Sequence, residues 1–220
     1  LTAIAMLTRS IRLGTMLTPL PEQDPWYVAA QTATLDQVSR GRVILTAGLG
    51  VLELDKFGML ENKVRAQQLD EALEIIERWW QGESLRAFTY SGQHYHLQQM
   101  SEDVDWTTHS PIQKPRIPLW VVGGSKQSQL RRAARWDGAV IGGTPAELRE
   151  RKAAIEALRI SSSPLEIITE GQTPYDDAGR AAALVQPYVE AGATWWLESM
   201  WDGTPQAMRT RVRSGPPRLL

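Results

Sequence analysis

The sequence contains no cysteine, and it has no apolar run approaching the ~18 residues of a membrane-spanning helix. The first absence excludes disulfides, thiolate nucleophiles and cysteine-ligated metal sites. No charged-then-apolar leader precedes the first helical pattern. The net charge of −1 and the pI near 6.4 offer no electrostatic footprint for nucleic acid or an anionic membrane. We therefore expect a cytoplasmic protein that binds neither.

Catalytic signature motifs are missing too. There is no G-x-S-x-G, no Walker lysine motif and no H-E-x-x-H. Histidine is scarce, with only His94, His96 and His109. The first two form an x-His-x-His pair in an alternating stretch, but no carboxylate cluster stands at fixed spacing beside it. We therefore predict no metal site and interpret the pair as hairpin histidines, with substrate contact as the alternative.

The most informative stretch is a strand–turn–helix–strand pattern over residues 118–143. Gly123 and Gly124 end a short apolar run, and Ser125 is expected to open the helix. Two glycines let the backbone approach a ligand closely. Ser125 and Ser128 offer hydroxyls beside the free N–H groups of the first turn, which favour an anion, typically phosphate. A plain helix cap is the alternative interpretation.

Strand patterns alternate with helix patterns along the rest of the chain. Strands are predicted near residues 11, 43, 119, 139, 165 and 194, and helices over about 25–39, 61–81, 125–136, 144–159 and 177–191. This alternation predicts a parallel α/β fold in one domain over 1–220, with a hairpin and loop excursion at about 85–116. The helix over 25–39 should turn Val38 inward, and Trp195 and Trp196 should be largely buried.

The strand count leaves two architectures open. Six strands suit an open doubly wound sheet, whereas an eight-stranded barrel needs two more. The first residues, LTAIAMLTRS, have the pattern of the back half of an amphipathic helix, so we expect the two further strands upstream of Leu1.

Four segments together resemble the bacterial luciferase-like flavin-dependent monooxygenases and their deazaflavin-using relatives. They are IRLGTMLTPLPEQDP, TLDQVSRGRVILTAGLG, KFGMLENKVRAQQLDEAL and the pattern over 118–143. The resemblance implies a (β/α)8 TIM barrel of the luciferase-like type, here with six recognisable strands and without the first two. It also implies an oxidoreductase or monooxygenase with FMN, or alternatively a deazaflavin, at the barrel mouth. A small organic substrate, a homodimer and a flavin reductase that supplies reduced flavin follow from the same resemblance.

The resemblance also assigns cofactor contacts. Ser125, Ser128 and the backbone around Gly124 would hold the flavin phosphate, and the guanidinium of Arg65 would reach the same phosphate. A non-prolyl cis peptide at Met16–Leu17 would press on the isoalloxazine, with Gly48 beside the ring and Gly142 near its other side. The cofactor-binding residues so implied are Thr15, Met16, Leu17, Gly48, Arg65, Gly123, Gly124, Ser125, Ser128 and Gly142.

Two departures from the family pattern bear on function. Leu49 stands where the luciferases have a second phosphate arginine, and the family's catalytic histidine belongs to the part that this sequence lacks, so no catalytic residue is assigned. A non-catalytic flavin-binding or degenerate relative is therefore the alternative function. A phosphate-sugar or aldolase-type barrel enzyme is a third option, against which the absence of a well-placed lysine at a strand end argues.

Overall fold

The computed structural model describes residues 1–50, 61–81, 89–98 and 110–217. Three parts of the sequence discussed above lie outside the described residues: Gly82, which directly follows the helix predicted over 61–81, the motif segment 56–60 and His109. The chain divides into two compact units, Leu1–Trp120 and Val121–Leu220. The prediction of one domain over 1–220 stays a prediction. Within the described ranges, no helix has both the length and the apolar character needed to cross a membrane.

The first unit builds a parallel sheet around one fully buried strand. Its elements are α1 (Thr2–Leu7), β1 (Leu13–Gly14), β2 (Thr18–Pro19), a 3-10 turn (Leu20–Glu22), α2 (Pro25–Ser39), β3 (Val43–Gly48), α3 (Asn62–Trp80), β4 (Tyr90–Ser91) and β5 (His96–Leu97). Both β1 and β2 pair in parallel with β3, through Leu13–Val43 and Thr18–Ala47. The strand predicted near residue 11 is therefore two short strands separated by an irregular segment.

Helices α2 and α3 pack against each other in the first unit. The apolar positions of α3 recur at helical spacing and are at most 2% exposed: Leu69, Ala72, Leu73, Ile76 and Trp80. The Trp80 indole donates to the carbonyl oxygen of Ala29 at 3.0 Å. Val38, predicted to face inward, is instead 42% exposed. Asp36 is buried, because its carboxylate accepts the backbone N–H groups of Ile112 and Gln113.

The second unit repeats strand and helix with parallel pairing. Its elements are β6 (Leu119–Gly123, beginning two residues before the unit), α4 (Gln127–Arg135), β7 (Gly138–Ile141), α5 (Pro145–Leu158), β8 (Glu166–Gly171), α6 (Ala178–Glu190), β9 (Trp195–Glu198) and α7 (Pro205–Ser214). Strands β6, β7, β8 and β9 are neighbours in that order, and β7, β8 and β9 run parallel. The predicted parallel α/β fold is confirmed.

The register in the second unit sorts side chains onto two faces of the sheet, since neighbours along a strand alternate. Thr169 pairs with Trp196, so both point to the face where Tyr188 of α6 contacts the Trp196 ring at 5.4 Å between centroids. We call this the helix face. Ile168 pairs with Trp195 and Val140 on the opposite side, which we call the open face.

Trp195 and Trp196 are both intermediate in burial, so they are largely but not completely buried. The reason is their position on β9, the last strand in the order, where a neighbouring strand covers one side only. The expected hydrogen-bond partner of an indole is present for Trp196, whose Nε1 donates to Glu198 Oε2 at 3.2 Å.

Candidate functional site

Arg65 is a buried cation with unused hydrogen-bond donors. It lies in the first turn of α3 and is 1% exposed. Its Nη2 donates to Glu22 Oε1 at 2.7 Å and to the carbonyl oxygen of Leu49. Its Nε and Nη1 are shielded from solvent and have no hydrogen-bond partner in the described part of the chain. A guanidinium carries five N–H donors, so this arrangement leaves donors unused that could serve an acceptor such as an oxyanion.

The backbone after β3 holds Arg65 and Glu22 in contact. Gly50 has φ +84°, and a Cβ there would lie 2.6 Å from Glu22 Oε1 and 2.9 Å from the Pro19 Cβ. Leu49 supplies its carbonyl oxygen to Arg65, a contact that does not depend on its side chain. Leu49 stands where the resemblance implies a second arginine for the phosphate, so its side chain offers no charge there. The structure adds a backbone role for Leu49 that sequence patterns do not show.

The segment between β1 and β2 has the backbone geometry that the family resemblance implies. The Met16–Leu17 peptide bond is cis. The Thr15 hydroxyl lies 2.6 Å from the Thr18 hydroxyl. Thr15 and Leu17 also line a hollow of about 660 Å³ beside α2. The contact of this segment with an isoalloxazine stays a prediction.

The glycine turn after β6 opens onto the N-terminus of α4. Gly123 is buried, and Ser125 and Ser128 are exposed. The helix begins at Gln127 with Lys126 as its N-cap, so the prediction that Ser125 opens it was wrong by two residues. The Gln129 side chain explains the shift, because its Oε1 accepts the Lys126 backbone N–H at 3.2 Å and so defines the helix start.

The next turn of the second unit, after β7, contrasts with this one. Thr144 and Glu147 form a capping box at the start of α5, where a helix is predicted from residue 144, and Glu147 Oε2 accepts the Thr144 backbone N–H at 2.7 Å. This backbone hydrogen bond, with that of the Thr144 hydroxyl, lowers the pKa of Glu147. Its own carboxylate therefore occupies the N-terminus of α5, whereas the first turn of α4 has no acidic residue. Of these two turns, the one after β6 suits an anion.

Gly142 follows β7 at the carboxyl end of that strand. It is exposed, and a Cβ built on it would meet no atom within 4 Å. Its carbonyl oxygen accepts a hydrogen bond from Arg151 Nη1 at 2.7 Å. Space beside Gly142 is thus open to a ligand.

The turn between β4 and β5 is held on α3 by the carboxylate of Glu71, a residue that the sequence patterns do not single out. Glu71 accepts the backbone N–H groups of Gln93 at 2.8 Å and of His94 and Tyr95 at 3.0 Å each. A glutamate on the polar side of a helix has the sequence pattern of a solvated charge, so no signal distinguished it. His94 Nε2 lies 3.2 Å from Gln67 Oε1, and His96 is exposed. No group of three or more potential metal ligands occurs among the described residues.

The predicted cofactor residues fall into clusters within each unit. In the first unit, Thr15, Met16 and Leu17 form one segment, and Gly48 lies next to the Leu49 carbonyl that binds Arg65. In the second unit, Gly123, Gly124, Ser125 and Ser128 share one turn, and Gly142 follows the neighbouring strand. Their cofactor-binding roles stay predictions.

The comparisons with known proteins agree with one another on one protein family. A protein-family model described as luciferase-like monooxygenase matches residues 1–168. The F420-dependent glucose-6-phosphate dehydrogenase of Kineococcus radiotolerans is 31% identical over 125 residues, covering 55% of this chain and 34% of that protein. The matches with the first two curated relatives cover 34% and 55% of their lengths, so the chain spans about a third to about half of them.

Two solved structures show the same fold at low sequence identity. The coenzyme F420-dependent tetrahydromethanopterin reductase of Methanopyrus kandleri has a TM-score of 0.75 and 16% identity, over 97% of this chain and 84% of that chain. The oxygenating constituent of 3,6-diketocamphane monooxygenase of Pseudomonas putida, in complex with FMN, has a TM-score of 0.61 and 21% identity, over 78% of this chain and 51% of that chain. With the parallel strand–helix repeat, these likenesses agree with part of a TIM barrel.

Proposed function

The chain belongs to the luciferase-like monooxygenase family, and from that premise we propose that it is the cofactor-binding part of a flavin- or deazaflavin-dependent oxidoreductase. Its substrate is a small organic molecule. The observation that carries the proposal is the buried guanidinium of Arg65, whose Nε and Nη1 have no partner in the described part of the chain. Leaving such donors unpaired costs free energy, and a phosphate oxygen would relieve that cost.

The residues of the chain fit a phosphate-bearing cofactor. Arg65 offers unused N–H donors at Nε and at Nη1, each of which can donate to one phosphate oxygen. The turn after β6 offers the Ser125 and Ser128 hydroxyls beside a helix N-terminus without acidic residues. FMN and the deazaflavin coenzyme F420 both carry a phosphate. We propose FMN as the cofactor, with F420 as the alternative.

A flavin-type cofactor supplies the electron or hydride transfer when bound. The chain's own residues then have two tasks. Donors for the phosphate are offered by Arg65 in the first unit and by Ser125 and Ser128 in the second. The residues proposed to contact the ring are Thr15, Met16, Leu17 and Gly48 in the first unit and Gly142 in the second. No described residue is assigned as the proton donor or acceptor on this basis.

The proposed assembly is a homodimer, with a flavin reductase as the source of reduced flavin. The support on the chain is a pair of neighbouring exposed apolar side chains at the end of α1: Met6 is 75% exposed and Leu7 86%. Such side chains mark contact surfaces when they group together. Analytical ultracentrifugation of the chain tests the dimer, which a monomer at micromolar concentration would contradict.

The proposal is tested by titrating the purified chain with FMN and, separately, with F420, following cofactor fluorescence. We expect saturable binding of one cofactor. Ser125→Ala should weaken it about ten-fold, the value of one hydrogen bond to a charged group. Ser162→Ala is the matched control, since Ser162 is exposed in the same unit and away from the turn. Failure of both cofactors to bind, or equal affinities for the two variants, would contradict the proposal.

A further inference from the structure

Glu170 carries a carboxylate oxygen that no described residue satisfies. It is the fifth residue of β8, near the carboxyl end of the strand. Its Oε2 is shielded from solvent and has no hydrogen-bond partner among the residues that the structure describes. A buried acceptor without a donor is costly, and native structures keep few of them. Glu170 Oε2 could therefore accept a hydrogen bond from a bound ligand.

The register places Glu170 on the open face of the second unit's sheet. Glu170 pairs with Leu197, and Ile168 with Trp195, so these side chains share that face. Extending the β7–β8 register by two residues puts Gly142 beside Glu170. The space over Gly142 is empty, and Leu197 and Trp195 are only half-buried. The edge of the open face thus combines one acceptor, apolar walls and free volume.

The other acidic side chain at this edge has a different task. Glu198 pairs with Gly171 and points to the helix face. Its oxygens accept hydrogen bonds from Arg211 Nη2, the Thr173 hydroxyl and the Trp196 indole. Glu198 is therefore saturated by protein donors and separated from the open face by the sheet. Glu170 Oε2, in contrast, has no donor among the described residues.

We propose that Glu170 accepts a hydrogen bond from a hydroxyl group of the substrate, whose apolar body lies against Leu197 and Trp195. A hydroxyl donates once and matches one unpartnered oxygen. An ammonium group has three N–H donors, and the neighbouring Leu197 and Trp195 side chains offer no acceptor for them. The inference rests on the proposed oxidoreductase function for its biological meaning, and it adds the substrate class: a small alcohol with an apolar body.

The test compares two probes of the same shape. Cyclohexanol has the hydroxyl donor, and methoxycyclohexane lacks it. Dissociation constants are measured by ligand-observed NMR on the full chain, with and without FMN. We expect the wild-type chain to prefer cyclohexanol about ten-fold, to keep part of that preference in Glu170→Gln and to lose it in Glu170→Met. Gly142→Val should weaken both probes equally, because it fills the space without touching the acceptor.

The control variant is Glu166→Gln. Glu166 lies on the same strand and the same face at its other end, and its Oε2 already accepts the Thr194 hydroxyl. The Glu166→Gln variant should bind cyclohexanol and methoxycyclohexane with the affinities of the wild-type chain. Equal preference in the wild-type chain and Glu170→Met, or no binding of cyclohexanol to the wild-type chain, would overturn the inference.

Cofactor titrations of the same variants separate the two ideas. Glu170→Met should bind FMN or F420 as the wild-type chain does. A Glu170-dependent preference for cyclohexanol without binding of either cofactor would refute the oxidoreductase function and support the hydroxyl site. Cofactor binding without that preference would refute the hydroxyl site alone.

Discussion

Arg65 and Glu22 form an ion pair that uses only one of the three guanidinium nitrogens. Arg65 Nη2 lies 2.7 Å from Glu22 Oε1, and the Leu49 carbonyl oxygen shares that nitrogen. The remaining two nitrogens have no partner in the described ranges. Glu22 thus orients the guanidinium, while its negative charge also opposes any anion that binds there.

The first prediction concerns the repulsion between the Glu22 carboxylate and an anion bound at Arg65. Glu22→Gln keeps an acceptor for Arg65 but removes the negative charge, so inorganic phosphate should bind about three-fold more tightly than to the wild-type chain. Competition of phosphate against FMN measures it. Glu150→Gln removes an exposed carboxylate of the second unit and should leave the affinity unchanged. Weaker phosphate binding to Glu22→Gln would show that orientation outweighs charge.

Local patterns predicted the repeat of the fold because each element has a strong signal. The spacing of Leu69, Leu73 and Ile76 predicts α3, and Thr144 with Glu147 predicts the start of α5. The errors have tertiary causes. Ser125 does not open α4, because the Gln129 side chain accepts the Lys126 backbone N–H, and the helix begins at Gln127. Val38 is exposed, because Asp36 is drawn inward by amides more than 70 residues away in the chain.

The site was predictable only where it resembles a family. The cis bond at Met16–Leu17 and the glycine turn follow from motifs. Glu71 does not, because its environment comes from a hairpin docked on α3. The strand end at Glu170 can be predicted to lie at the site or in a turn, but the unsatisfied oxygen of Glu170 cannot be predicted. A single glutamate on a helix or strand has the same sequence pattern whether it is solvated, paired or left with an unsatisfied oxygen.

The second prediction tests the anchor of the hairpin. Glu71→Ala removes the acceptor of the Gln93, His94 and Tyr95 amides, so it should lower the free energy of unfolding by about 2 kcal/mol. Urea denaturation measures this loss, and hydrogen exchange should accelerate at those three amides first. Tyr90→Phe removes one hydrogen bond to Glu74 from the same hairpin and should cost less. Unchanged exchange in Glu71→Ala would refute the anchor.

The third prediction follows from backbone geometry at two glycines. Gly50→Ala places a Cβ against Glu22 and Pro19 at φ +84°, so it should destabilise the chain by about 2 kcal/mol. Gly142→Ala meets open space and should stay within about 0.5 kcal/mol of the wild-type chain. Thermal or urea unfolding compares the two. Equal losses would contradict the contact between Gly50 and Glu22.

The fourth prediction concerns acid stability. Burial raises the pKa of Glu198, but hydrogen bonds from Arg211, Thr173 and Trp196 outweigh it and hold the pKa below its ordinary value. The carboxylate therefore stabilises the fold above that ordinary value, and the contribution is lost as the pH falls through the lowered pKa. Glu198→Gln should be less stable than the wild-type chain at pH 7, and the difference should shrink between about pH 5 and about pH 3.

Unfolding in urea at several pH values measures this dependence. Glu150→Gln serves as the control, because Glu150 is exposed on α5 and is not part of the Glu198 network. A difference between wild-type chain and Glu198→Gln that stays constant over the acid range would contradict the role of the ionised carboxylate.

The central claim, that this chain anchors the phosphate of a flavin-type cofactor, is tested most directly by comparing FMN with riboflavin, which lacks the phosphate. The account predicts that the wild-type chain binds FMN at least ten-fold more tightly than riboflavin. It also predicts that Arg65→Met and Ser125→Ala each reduce this ratio, while Ser162→Ala preserves it. Equal affinities for FMN and riboflavin in the wild-type chain, or a ratio that neither variant changes, would contradict it.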